Sequence, residues 1–308
     1  DLGPLKALML NQDIVKVFHA GTEDLELLLQ HFDALPAPIY DTQVATAFCS
    51  ADAQIGYARL VKNRLNIELD KASQRTDWAR RPLSERQLDY ALADVTHLCT
   101  LYEGLRADLE ERNRSAWVAE EMQTLSDPSR YHVEPEEAWK KIRVRRPKRR
   151  TLAVVKALAA WREEKARSRN LPRPWVLKND AIVQIAHALP STKRELLELA
   201  TLRHLGGRWR DAERIIAVVQ RALASPEHAW PALPAEQQKE GLEGQLKRLR
   251  GALNARCEGA EIAPSLVATR RDLERLILNP ELESAVLRGW RYTFFGQEAL
   301  AIVAEEGD

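Results

Sequence analysis

Short β-branched runs give way along the chain to apolar residues recurring at a period of about 3.6, and the elements follow from that change. "IVKVFHA" (14–20) is a short β-branched run suited to a strand, and "TEDLELLLQHF" (22–32) continues at helical spacing, with Thr22 standing where a cap belongs. "PIYDTQVATAFC" (38–49) repeats the step from short strand into helix. "RPLSERQLDYALADVTHLCTLYEGLRADLEERN" (81–113) predicts one long helix, its start marked by Ser84 and Gln87 at capping-box spacing after Pro82. Within it Leu88, Ala91, Leu92, Val95, Leu98 and Cys99 form one stripe, expected to be buried. Alternation of strand and helix makes residues 1–126 α/β.

Proline, serine and charge interrupt the pattern in "SDPSRYHVEPEEAWKKIRVRRPKRR" (126–150), which predicts a boundary. Beyond it the spacing is helical throughout. "LAVVKALAAWREEKARSR", "KNDAIVQIAHAL" and "TKRELLELATL" suggest a small bundle. "ARSRNLPRPWVLKND" (166–180) is loosely echoed by "ARCEGAEIAPSLVATRRD" (255–272), which favours two helical modules over one.

A chain of 308 residues with 45% hydrophobic and 30% charged positions has material for two or three domains. No run of about 18 apolar residues occurs, and the first residues lack the features of a signal peptide, so a membrane role is not expected. Cys49, Cys99 and Cys257 are far apart and match no metal-ligand or disulfide spacing, which fits a reducing cytoplasm. Charge changes the picture more. The net charge is +1, yet residues 140–175 carry fourteen Lys or Arg against Glu163 and Glu164, leaving −11 elsewhere. Such a stripe is either the footprint of a polyanion or a solvated, extended linker.

Tyr90 and Asp94 lie off the apolar stripe, one helical turn apart, so a phenol and a carboxylate can approach one point. Taken alone, a packed ring and a solvated charge is the commoner meaning of such a pair. Asp24, in the first turn of its helix, is favoured there by the helix dipole and needs no further purpose.

Read in order, "HAGTEDLELL", "YDTQVATAFC", "TDWARRPLSERQLDYALADVTHL" and the basic helical tail resemble the ribonuclease D family, within the DEDD superfamily of 3′–5′ exonucleases. The resemblance covers nearly the whole chain. It implies an α/β ribonuclease H-like exonuclease domain over 1–126, incomplete at its N-terminus, and a basic linker over 127–150. Two small all-α helical-bundle domains, of the helicase-and-RNase-D C-terminal (HRDC) kind, would follow over 151–228 and 229–308. In that family carboxylates from three motifs hold two divalent cations, for which hard oxygen ligands favour Mg²⁺ or Mn²⁺.

The resemblance assigns Asp24 to the second motif and Tyr90 with Asp94 to the third. Asp89 stands where the histidine branch would carry its histidine, so the tyrosine branch is implied, with Tyr90 orienting the attacking water. The first motif, Asp-x-Glu on an early strand, has no match. Asp24-Leu25-Glu26, Asp108-Leu109-Glu110 and Asp272-Leu273-Glu274 lie in helical patterns, and Asp41-Thr42-Gln43 ends in an amide. The expectation is therefore that the family's first strands precede residue 1, and that residues 1–308 alone bind RNA but trim it poorly. The expected partner is RNA with single-stranded 3′ ends, tRNA precursors above all, without an obligate protein partner. Arg145, Arg146, Lys148, Arg149 and Arg150 would contact its phosphates. The alternatives are a DNA exonuclease of the same superfamily and a non-catalytic RNA-binding fragment.

Overall fold

The two β-branched and aromatic runs pair with each other. In the computed structural model of the chain, which describes residues 1–50, 52–70, 73–131, 134–145, 147–202, 210–233, 242–280 and 284–305, helix α1 (Gly3–Leu10) leads into strand β1 (Lys16–Phe18). Helix α2 (Thr22–Phe32) then crosses to strand β2 (Ile39–Asp41). The strands are parallel, with Lys16 opposite Ile39, Val17 opposite Tyr40 and Phe18 opposite Asp41. A parallel pair requires such a crossover. Helices α3 (Thr42–Ala47), α4 (Tyr57–Leu65), α5 (Glu85–Thr96), α6 (Leu98–Glu111) and α7 (Ser115–Leu125) complete this α/β part.

Local signals explain where some helices begin. Asp41 caps α3 by accepting from the Gln43 and Val44 N–H groups, and Ser84 and Gln87 form the reciprocal capping box on α5. Three expectations are corrected. Thr22 is the first residue of α2, and Gly21 holds the cap position with no side-chain bond. The single helix expected over 81–113 is two, divided at His97. The α5 stripe is turned outward: Leu88, Leu92 and Val95 are 49%, 61% and 55% exposed, Ala91 and Cys99 are exposed as well, and Leu98 alone of the six is buried. Periodicity tells which residues share a face. It does not tell what that face meets.

The chain forms two compact units, residues 132–236 and residues 1–131 with 237–308. In the former, helices α8 (Arg149–Arg169), α9 (Arg173–Val176), α10 (Asn179–Ala188), α11 (Lys193–Glu198) and α12 (Ala212–Ala224) surround Val154, Leu158, Ile182, Ile185, Leu196 and Ile215. Ala138 and Ile142, within the stretch expected to be a linker, are buried in the same core.

Helices α13 (Leu242–Ala260), α14 (Pro264–Val267), α15 (Arg270–Leu278), α16 (Gly289–Arg291) and α17 (Gln297–Ala304) belong to the other unit. Their Leu249, Leu253, Leu276 and Phe295 share a core with Leu25, Phe48, Leu105 and Leu109 of the α/β part. The sequence echo has a structural counterpart: α8–α9–α10 and α13–α14–α15 each run from a long helix through one four-residue turn of helix into another helix.

Candidate active site and basic segment

The chain leaves the ends of β1 and β2 through two tight turns that one carboxylate holds together. Asp41, 3% exposed, accepts from Gln43 N–H at 2.8 Å and Val44 N–H at 3.2 Å on its own helix. It also accepts from Gly21 N–H at 2.8 Å and Ala20 N–H at 3.2 Å, at the entry to α2. The turn between is constrained: Ala20 has φ of +56°, and a Cβ on Gly21 would lie 2.7 Å from Phe18 Cβ. Glycine at 21 is therefore a packing requirement. The buried carboxylate supplies hydrogen-bond acceptors where α2 has no capping side chain of its own.

This turn places Asp24 one residue after the pair Thr22–Glu23, exposed on the first turn of α2. Its carboxyl pKa lies above the usual value, first through desolvation and then through the neighbouring charges of Glu23 and Asp41.

Helix α5 brings Tyr90 and Asp94 together as their spacing predicts. The Tyr90 hydroxyl donates to the Asp94 carboxylate, and the Tyr90 ring packs against Trp78 with centroids 5.8 Å apart. Desolvation raises the Tyr90 pKa first, and the Asp94 charge and their hydrogen bond raise it further. Tyr90 therefore keeps its proton and acts as a donor. Desolvation also raises Asp94, while the Tyr90 hydrogen bond pulls its pKa back down.

Asp24 is perturbed by Glu23 and Asp41, and Asp94 by Tyr90, so each carboxylate answers to its own surroundings. Among the described residues no group of three or more His, Cys, Asp or Glu side chains is placed to hold a metal ion. Carboxylate oxygens suit Mg²⁺ or Mn²⁺ in kind. In number, Asp24 and Asp94 do not amount to a site for two cations.

His19 and Tyr57 join this region without any warning from sequence pattern. A carbonyl can only accept, so His19 Nε2, 2.9 Å from the Ile55 carbonyl, carries the ring proton. Nδ1 then faces Thr42 Oγ1 at 2.9 Å. Burial holds the His19 pKa below its usual value against the opposing influence of Ile55 and Asp41, which keeps the imidazole neutral near pH 7. The Tyr57 ring lies 5.5 Å from the His19 ring, and its hydroxyl donates to the Ala93 carbonyl at 3.1 Å.

In the basic segment, Arg145, Lys148, Arg149 and Arg150 are exposed around the start of α8, and Arg146 lies outside the described residues. Arg149 is engaged locally, donating to the Glu227 carbonyl at 2.6 Å and the Trp230 carbonyl at 3.2 Å. Three other members of the stripe serve the fold. Arg162 contacts Glu163 at 3.2 Å, Arg173 contacts the same carboxylate at 2.5 Å, and buried Lys165 pairs with Asp211. The electrostatic footprint is therefore smaller than the count of basic residues suggests.

A family profile described as "3'-5' exonuclease" matches residues 1–110, and one described as "HRDC domain" matches residues 151–219. The chain is 40% identical to the ribonuclease D of Zymomonas mobilis over 98% of its own length and 78% of that relative's. It is 40% identical to the ribonuclease D of Gluconacetobacter diazotrophicus over 98% and 77%. Among solved structures, that of Escherichia coli RNase D, described as an exoribonuclease involved in structured RNA processing, superposes with a TM-score of 0.78 at 30% identity. The match covers 99% of this chain and 83% of that one. Exonuclease and HRDC segments in this order, with relatives of that closeness over almost the entire chain, place the protein in the ribonuclease D family of 3′–5′ exoribonucleases.

Proposed function

We propose that this protein trims RNA from single-stranded 3′ ends, with tRNA precursors as substrates, releasing nucleoside 5′-monophosphates in the cytoplasm. The observation that carries the reading is the Tyr90–Asp94 hydrogen bond, because it supplies a fixed, proton-bearing phenol beside a carboxylate. Asp24 and Asp94 act as ligands to divalent cations, two Mg²⁺ or Mn²⁺, which when bound supply an activated water and offset charge on the phosphodiester oxygens. The phenol of Tyr90, held protonated, orients a hydrogen-bond acceptor at the reacting centre and does not remove a proton. Asp41 keeps the Asp24 turn in place. Exposed Arg145, Lys148 and Arg150, together with Arg146, hold RNA phosphates, and the family's HRDC segment adds RNA-binding surface.

For residues 1–308 taken alone, the proposal is RNA binding without efficient trimming, since Asp24 and Asp94 are two of the four carboxylates that the family resemblance calls for. The test compares Asp94→Asn and Tyr90→Phe in the full-length natural protein, with Mg²⁺ or Mn²⁺ supplied. Asp94→Asn should abolish most trimming, because an amide is a weak cation ligand that offsets no charge. Tyr90→Phe should lower turnover with RNA affinity unchanged. Parental activity in Asp94→Asn, or in excess chelator, would refute the assignment.

A further inference from the structure

Helix α5 carries Tyr90 and Asp94, yet burial anchors little of it. Gln87 is its buried residue, with Nε2 donating to Thr76 Oγ1 and to the Asp77 carbonyl at 3.1 Å each. Those bonds fix the first turn. From Leu88 to Thr96 every side chain is exposed or half-buried. The far end is held instead through its backbone. The Tyr57 hydroxyl donates to the Ala93 carbonyl at 3.1 Å and is itself approached by the His97 N–H. In an uninterrupted helix the His97 N–H would donate directly to the Ala93 carbonyl, four residues back. Here the His97 N–H reaches the Val95 carbonyl as well as the phenol, and the Ala93 carbonyl accepts from the phenol instead. A side chain inserted into the helical ladder divides a helix, which accounts for the break between α5 and α6 at His97.

Tyr57 is itself placed by the turn that leads to Asp24. Its ring rests on His19, directly after β1. The Ile55 carbonyl, two residues before Tyr57, accepts from His19 Nε2 at 2.9 Å and from Gln43 Nε2 at 3.0 Å. Ala20 and Gly21 are in turn held by Asp41. A continuous set of contacts thus runs from the entry of α2 through His19 and Tyr57 to the residue before Asp94.

We propose that Tyr57, seated on His19, is a positioning residue that sets Asp94 and Tyr90 relative to the Asp24 turn by holding the Ala93 carbonyl and the His97 N–H. The inference rests on the reading of Asp24, Tyr90 and Asp94 given above. Reacting groups displaced by about 1 Å can lose on the order of a hundredfold in rate, so loss of one tether is expected to lower kcat roughly tenfold.

Tyr57→Phe keeps the ring and removes the hydroxyl. In the full-length protein its kcat on a single-stranded RNA should fall roughly tenfold with KM within about twofold of the parent, the split expected when binding is untouched. One readout does not depend on activity: amide hydrogen exchange at His97 should accelerate. A parental kcat would overturn the proposal, as would a rise in KM with kcat unchanged. Asp94→Asn separates the two levels. If it trims at the parental rate, the reading of the site has failed; if it is inactive while Tyr57→Phe is parental, the positioning role alone has failed. Should Tyr57→Phe fold poorly, His19→Gln decides: kcat falls with KM held if the seat under Tyr57 matters, and stays parental if it does not.

Discussion

Helix α8 is held along its length by packing, with charge turned inward in its second half, whereas α5 is held near its two ends and shows leucine to solvent. In α8, Arg162 and Glu163 have side chains only 7% and 2% exposed. They are tolerated because each has partners: Arg162 donates to Asn179 Oδ1 at 2.6 Å, and Glu163 receives both Arg162 and Arg173. In α5 the residues most suited to a core, Leu92 and Val95, are 61% and 55% exposed. The contrast separates two tasks. A helix that builds a scaffold can bury charge beside opposite charge, and a helix that presents functional groups can be fixed by a few directional bonds.

The largest expected effect tests the α8 half of this contrast. Glu163→Ala leaves Arg162 buried without its carboxylate, and breaking a buried ion pair from one side costs about 3–5 kcal/mol. Urea unfolding of the protein should show that loss in the transition of residues 132–236. A change below about 0.5 kcal/mol, the range of ordinary surface substitutions, would mean that the pair is solvated in solution.

These particulars show what the sequence could disclose. Strands β1 and β2, helices α2 and α3 and the capping box at Ser84 and Gln87 rest on signals a few residues long, and each stands where its pattern predicts. The Tyr90–Asp94 hydrogen bond was legible for the same reason, being one turn of one helix. Their assignment to a site came from motif resemblance, as did that of Asp24. His19 and Tyr57 were invisible because their bonds to Ile55 and Ala93 each span 36 residues, and such contacts leave no periodic trace. The division at His97 has no glycine or proline to announce it, and the hydroxyl that meets the backbone there comes from another helix. Arg162, Lys165 and Arg173 counted toward a polyanion footprint because sequence charge carries no information on partners.

A second, smaller effect sharpens the comparison within the basic segment. Replacing Arg145, Lys148 or Arg150 by Ala should lower the slope of log K against log salt by about 0.7 for each lost contact with single-stranded RNA. Arg149→Ala should also loosen the turn it holds at Glu227 and Trp230, costing about 1 kcal/mol of stability. Salt titrations and melting of the same variants separate the two roles. Unchanged slopes in Arg145, Lys148 and Arg150 variants would return the segment to a structural extension of α8.

The pH dependence of the presenting region is expected to be shallower still. Asp24 and Asp94 have folded-state pKa values raised mainly by desolvation, so the fold retains their protons to higher pH than the unfolded chain does. Their contribution to stability is present below the ordinary carboxylate pKa and is lost as pH rises through the folded values. Asp94→Asn should therefore lose less stability than the parent between acid and neutral pH. Divalent-cation affinity should rise across the same window as the carboxylates ionise. Parallel stability profiles for parent and variant would contradict the raised Asp94 pKa.

The smallest effect expected is also the sharpest probe of α5. Leu92 is more than half exposed, so Leu92→Ser should alter the stability of residues 1–308 by no more than about 0.5 kcal/mol. Burying a leucine side chain contributes about 1.5–3 kcal/mol, so a loss of that size would show that the face is covered in solution. Protein concentration then tells how. If the melting temperature of the parent rises with concentration and that of Leu92→Ser does not, a second copy of the chain provides the cover. If the loss is independent of concentration, the cover comes from within the polypeptide, and α5 is anchored by packing as α8 is. A change within the surface range leaves the Gln87 bonds and the Tyr57 hydroxyl as what holds Tyr90 and Asp94 in place.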